Sequence, residues 1–384
     1  MADLACIRHD EALLDACRRL WDNLTTRRMY ITSGIGSSFR NEGFTQDYDL
    51  PNVEAYCETC AAIGLVFWAH RMIHADVDPA TNTPDGRYAD VMERALYNNV
   101  ASSVSLDGTR FLYWNKLHAT NHDLQSKWHD HRQSWFDCAC CPPNCARLLA
   151  SLGQYVYSTG PGEVIVHLYA TGEATAQLGD QTIRVQQQTM YPWDGDVRLT
   201  ISVQRQTPWT LKLRIPGWCR TSRVVVNGKT VAGPTERGYW ILHRLWNDGD
   251  VVQLQLDMPV QQIHAHPEVR ADAGRIALQR GPIVYCLEQV DNAANLDAVT
   301  IPADAAFITT WRPELLGGIV TVQIQGYRAS REAWERTLYR DGRRQTHSTQ
   351  ITAVPYCTWD NRTPGEMLVW VCQTPVTLVQ PPNQ

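Results

Sequence analysis

The stretch "WFDCACCPPNC" (135–145) places Cys138, Cys140, Cys141 and Cys145 within eight positions, with two prolines among them. A second stretch, "YCETC" (56–60), holds Cys57, Glu58 and Cys60. Thiolates and carboxylates bind Zn²⁺ well, and zinc sites draw their ligands from separate segments. A disulfide knot, a structural metal site and a reactive thiol are the three chemistries such clusters serve. Twelve cysteines in a secreted mini-protein would signal a disulfide framework. In a long chain without an export signal, metal binding or thiol chemistry is the better expectation.

Two ligand sets compete. Cys57, Cys60, Cys138 and Cys141 form a doubled C-x-x-C, whose members share a face if the segments are helical. Such a closed Cys₄ site would be structural. The other set is Glu58, Cys60, Cys140 and Cys141. It requires "ETC" to be non-helical, with a helix beginning near Cys60, because residues two apart lie on opposite sides of a helix. Spacing alone leans toward the Cys₄ set. The helix expected after Pro142 and Pro143 points its N-terminus at the second segment, where its dipole favours thiolates. Cys6, Cys17, Cys219, Cys286, Cys357 and Cys372 read as small buried hydrophobes.

A loop, "SSFRNEGFTQDYDLPN" (37–52), carries Glu42, Asp47 and Asp49 and leads directly into "VEAYCETC". A carboxylate beside a thiolate cluster can act as a general acid. A thiolate held ionised can act as a nucleophile. The histidines of "HATNHDLQSKWHDHRQS" (His118, His122, His129 and His131) read as a surface loop.

Helical periodicity covers the elements that must position these groups. Asp10 to Arg27 is amphipathic with an acidic first turn, Cys60 to His74 is apolar nearly all round, Gly86 to Val104 is amphipathic, and Asn144 to Ser158 follows the prolines. From "GPGE" (160–163) onward the period becomes two, as in half-buried antiparallel strands. "SRVVVNGKTV" reads as a hairpin turning at Asn227-Gly228. A second strand-rich run begins at "RIALQRGPIVYCLE" (275–288). The expected organisation is helical over 1–158, a first β-sandwich over 159–264 and a second over 265–384. The apolar helix needs covering on every side, which four helices alone do not provide.

The formal net charge is −5 over 384 residues. Without a basic stripe, a polybasic run or an apolar stretch of membrane length, neither nucleic acid nor a membrane is an expected partner. The N-terminal residues lack the pattern of a signal peptide, so a cytoplasmic location is expected. Fourteen tryptophans and fifteen tyrosines suit sugar binding, although any single ring is more often core.

Several of these motifs, with "MYITSGIGSS", "GFTQDYDLPN", "AYCETCAAIGLVFWAHRM", "RYADVMERALYN", "SLDGTRFLYWNKL", "CACCPPNCARLLASLGQYVY" and "VPYCTWDNRTPGEMLVW", together resemble the β-L-arabinofuranosidases of glycoside hydrolase family 127. The resemblance implies the C-terminal part of an (α/α)₆ barrel followed by two antiparallel β-sandwich domains. It also implies retaining hydrolysis of β-L-arabinofuranosides, on an arabinose-containing oligosaccharide or glycoconjugate. By that resemblance Cys140 is the zinc-bound nucleophile, Glu42 the acid/base, Glu58, Cys60, Cys140 and Cys141 the zinc ligands, and Tyr113 a substrate contact. Family members are longer, and Met1 falls inside their barrel. The expectation is a chain missing the first half of that barrel, completed by a homo-oligomer or a separate chain. The alternative is an inactive truncated homologue with a structural zinc site that binds glycan or a partner subunit.

Overall fold

The structure is a computed structural model and describes residues 1–120, 131–331, 334, 337–341 and 345–374. His122 and His129 lie outside the described residues. Helix α1 spans Ala2–Arg8, α2 Glu11–Arg27, α3 Thr59–Ala75, α4 Gly86–Ala95 and α5 Cys141–Ala150. Helix α2 begins where Asp10 accepts a hydrogen bond from the Leu13 amide, satisfying one of the free donors of the first turn. Helix α4 does not end at Ala95 but continues as a π-turn over Leu96–Val100. Helix α5 starts earlier than its periodicity suggests, because Pro142 and Pro143 sit inside its first turn.

Helix α3 is covered by this chain. Ala62, Ile63, Leu65, Val66, Ala69, Met72 and Ile73 are buried in one core with residues from α1, α2, α4 and α5. Tyr155 and Leu168, beyond α5, complete that core.

The strands form three sheets. A five-stranded sheet runs in the order 235–236, 239–246, 207–214, 163–166 and 157–160. A six-stranded sheet runs 172–178, 181–189, 196–203, 251–256, 222–226 and 229–230. The alternating inward residues of these two sheets share one core around Trp209 and Trp246. In the 222–230 hairpin, Asn227 and Gly228 both take positive φ (50° and 78°), as its two-residue turn requires.

The third sheet corrects the expected fold. Its strands 283–288, 346–355, 319–329, 299–302, 371–374 and 275–280 pair in that order, and 275–280 pairs back onto 283–288. The result is a closed β-barrel, not an open sandwich. The helices do not form a portion of an (α/α)₆ barrel, and strand residues outnumber helical ones. The physical reason is that alternation encodes only which face of a strand is buried. Closure depends on one strand finding two partners, and the 299–302 strand even pairs with 371–374 in parallel.

Side chains bind the helical layer to the strands. The Arg214 guanidinium, fully buried, pairs with Asp90 at 2.6 Å and with Glu93, both on α4. In the π-turn, Asn98 donates to the Pro282 carbonyl (2.9 Å) and accepts from the Val284 amide (2.8 Å), tying α4 to the barrel. Its neighbour Asn99 donates to the Cys57 carbonyl. No helix among the described residues is long and apolar enough to cross a membrane.

Candidate functional site

Glu58 is extended (φ −55°, ψ 137°) and stands immediately before α3, whose first residue is Thr59. The local backbone is held from three sides. Thr59 donates its amide to the Tyr113 carbonyl (3.1 Å) and its hydroxyl to the Leu112 carbonyl (2.8 Å). Asn115 donates to the Cys57 carbonyl and to the Thr59 hydroxyl, each at 3.0 Å. Cys57 takes a left-handed φ of 37°, which turns it away from its neighbours. It is buried among Tyr30, Ala55, Leu112 and Trp359, a different core from that of Cys60. Gly34 makes room for it, since a Cβ there would lie 2.8 Å from the Cys57 sulfur.

The second segment meets the first at the start of α5. Cys140 caps this helix and Cys141 opens it. Sγ of Cys141 lies 3.9 Å from Sγ of Cys60 and 3.7 Å from Sγ of Cys140, and Cys140 Sγ lies 3.4 Å from Glu58 Oε1. One donor atom from each of Glu58, Cys60, Cys140 and Cys141 falls within 4.8 Å of the other three. These four residues are the group among the described residues able to hold a metal ion. The doubled C-x-x-C set is not assembled: Cys57 faces another core and Cys138 is exposed. Spacing alone leaned toward that set because it assumed helix across "YCETC", where the backbone instead turns at Cys57.

The three thiols do not ionise alike. The hydrogen bond between its sulfur and that of Cys141 holds Cys60 below the usual thiol range, at about 7. Burial pushes Cys140 up to about 12, against a lowering contribution from the Tyr113 hydroxyl. Cys141, which shares its proton with Cys60, is raised further. A cation among these sulfurs would favour the deprotonated form of all of them.

Glu42 lies on the 37–52 loop and accepts a hydrogen bond from the Tyr56 hydroxyl at 3.1 Å. Tyr56 in turn packs on Tyr113, with ring centroids 6.2 Å apart, and both rings share one buried cluster with Cys141, against which Cys60 and Cys140 pack. Glu42 is therefore linked to the thiol cluster through two phenols. Asp47 is engaged elsewhere, by Arg27 and Arg28. His131 pairs with Asp360 at 2.6 Å and His118 with Asp297 at 3.3 Å, so neither enters the cluster. Sequence reasoning missed Tyr56. Its only signal was a tyrosine next to the first cysteine of "YCETC", which carries no chemistry until the turn at Cys57 directs it toward Glu42.

The comparisons with known proteins bear on this arrangement. Residues 1–154 match the β-L-arabinofuranosidase, GH127 catalytic domain. Residues 163–258 match the GH127 middle domain and 260–372 the glycoside hydrolase family 127 C-terminal domain. The chain belongs to glycoside hydrolase family 127. It is 40% identical over 381 residues to a non-reducing end β-L-arabinofuranosidase of Bifidobacterium longum, covering 94% of this chain and 56% of that protein. The crystal structure of a GH127 β-L-arabinofuranosidase from Geobacillus stearothermophilus superposes with a TM-score of 0.93 at 47% identity, covering 97% of this chain and 59% of that one. A second solved GH127 β-arabinofuranosidase gives 0.88 at 38% identity, with 97% and 58% covered. The chain thus spans somewhat more than half the length of these GH127 relatives.

Proposed function

We propose that this GH127 chain carries the site of a retaining β-L-arabinofuranosidase acting on an arabinose-containing glycan, with Cys140 as nucleophile and Glu42 as acid/base. The observation that carries this reading is the linkage of Glu42, through Tyr56 and Tyr113, to a cluster of three thiols and a carboxylate. We assign the site to a helix-rich unit over 1–158 and the remainder to units over 159–264 and 265–384. The family-model limits near 154, 163, 258 and 260 support that division.

The donor set fits zinc. A tetrahedral ion with Zn–S bonds of about 2.3 Å sets sulfurs about 3.8 Å apart, and the observed separations are 3.7 and 3.9 Å. Glu58, Cys60, Cys140 and Cys141 would hold it, and its charge would keep the Cys140 thiol ionised at neutral pH.

The chain's own groups then divide the reaction. The Cys140 thiolate attacks the anomeric carbon while Glu42 gives its proton to the departing oxygen. Water, deprotonated by Glu42, cleaves the resulting glycosyl–cysteine bond with a second inversion. The phenol of Tyr56 donates to the Glu42 carboxylate and orients it between the two steps. Tyr113, which packs beside the thiols, is the residue we assign to contact the pentose. The test is hydrolysis of an aryl β-L-arabinofuranoside by the purified chain, with zinc content measured in parallel. Turnover retained in Cys140→Ala or in Glu42→Gln would refute the assigned roles.

A further inference from the structure

A cavity of about 200 Å³ lies where the helical layer meets the barrel. At about 30 Å³ per water in the liquid, it has room for about seven waters or for a small organic molecule. The last turn of α2, Arg94 of α4, the 263–272 segment and Trp370 contribute its walls, and Tyr30, Tyr48 and Trp370 make much of the lining aromatic. Neither Glu42 nor any of the four residues of the thiol cluster borders it. What it binds is therefore independent of the roles proposed for them.

Arg94 is the group in this cavity that lacks a partner. Its neighbours Asp90 and Glu93 both bond Arg214. Among the described residues nothing accepts a hydrogen bond from the Arg94 guanidinium or forms an ion pair with it. Arg94 keeps part of its surface accessible, and none of its nitrogens is sealed from that space. Burial nevertheless lowers its pKa, against the attraction of Asp90 and Glu93. The charge thus faces a recess that hydrates it poorly, and a cation so placed is unfavourable without an anion beside it. The two α4 carboxylates attract it from a distance but leave its fork of N–H donors open.

Two further polar groups border the space. The His266 ring stacks on Tyr48, with centroids 4.5 Å apart and planes at 15°, and its Nδ1 accepts from the Glu268 amide at 3.2 Å. The ring proton of the neutral imidazole is therefore on Nε2, a further donor. Asp272 borders the cavity without pairing with Arg94, and burial raises its carboxyl to about 6.

We propose that this cavity binds a small organic oxyanion, a carboxylate or a phosphate monoester, with its charged end on the Arg94 guanidinium and its body against the aromatic lining. A guanidinium fork matches either headgroup bidentately. The aromatic walls favour a ligand with a carbon body over a bare ion. Because helix and barrel both line the site, an occupant bridges them.

Calorimetric titration of the native chain with benzoate, phenyl phosphate and the uncharged benzamide tests this. At least one of the two anions binds, the tighter one identifies the headgroup, and benzamide binds at least about tenfold more weakly. Arg94→Gln weakens the anion at least about tenfold, and Arg94→Lys, which keeps the charge without the fork, weakens it less. Asp272→Asn tightens the anion near pH 7, since it removes the carboxylate from the lining. In anion-free buffer Arg94→Gln leaves the thermal midpoint unchanged or raises it, because the charge it removes is unpartnered. Binding of neither anion, equal binding of benzamide, or undiminished anion binding by Arg94→Gln overturns the proposal. So does a fall in the midpoint of Arg94→Gln without anion, which would assign the guanidinium to Asp90 and Glu93 instead.

Discussion

Glu93 and Glu58 each sit in a cluster of buried polar groups, one on α4 and one at the head of α3. Around Glu93 the cluster contains its own cation. Arg214 bonds Glu93 and Asp90, and the Tyr191 hydroxyl and Trp218 indole donate to the same carboxylate. Every charge there has a partner, and the network joins a helix to a sheet. Around Glu58 the members are three thiols, and among the described residues no basic side chain pairs with it. All four donors are acids that become anionic on losing a proton. The first arrangement completes itself and so is structural. The second concentrates potential negative charge with room for a multivalent cation, which a stability role alone does not call for.

Asp272 is a third case, a buried acid with neither a cluster nor a buried cation. Burial raises its carboxyl to about 6, with the Asn52 amide donating to it at 2.7 Å.

These differences can be broken experimentally. The largest effect is expected from Cys140→Ala, which removes the proposed nucleophile and lowers kcat on an aryl β-L-arabinofuranoside by about 10⁴-fold. Fold retention is checked by circular dichroism. Next comes Arg214→Met, which strands Glu93 and Asp90. It costs about 3–5 kcal/mol in denaturant unfolding and leaves zinc affinity unchanged, since the two clusters are separate. If zinc is lost first, the two clusters are coupled rather than separate.

Cys60→Ser against Cys57→Ser sharpens the ligand assignment. Cys60→Ser weakens zinc by more than the about 10–100-fold that loss of an outer-shell partner costs, measured by competition with a chelator. Cys57→Ser leaves that affinity in place, although the added hydroxyl lowers stability. Asp272 supplies a pH signature. Its carboxyl titrates higher when folded than when unfolded, so the native state holds the extra proton between about pH 4 and 6. Stability is therefore lost as pH rises through that window. Asp272→Asn abolishes this dependence and stabilises the chain near pH 7 by about 2 kcal/mol, read from urea midpoints at several pH values. The smallest effect belongs to Cys138→Ser. The thiol is exposed, and the change stays within about 0.5 kcal/mol and leaves zinc in place.

The α2 helix, the Asn227-Gly228 hairpin and most of the strands were legible because local signals specify them: a capping Asp10, a turn dipeptide, and alternation. "CACC" and "YCETC" were legible as chemistry because thiols and carboxylates in such density have few other uses. Residue types and periodicity thus determined which segments could ligate and which faces would be buried. They left the choice between Cys57 and Glu58 open, because a single left-handed residue at Cys57 decides it. That conformation is stabilised by Gly34, Asn99 and Asn115, residues distant in the chain. Tyr56 was invisible for the same reason. Closure of the last sheet into a barrel was likewise undecided, because 275–280 meets 283–288 as a local hairpin but pairs with 371–374 only across about a hundred residues. The sequence determined the chemistry available to this protein, through the composition of its motifs. Tertiary structure alone decided which donors converge and what stands beside Glu42, since both depend on backbone turns held by partners from other segments.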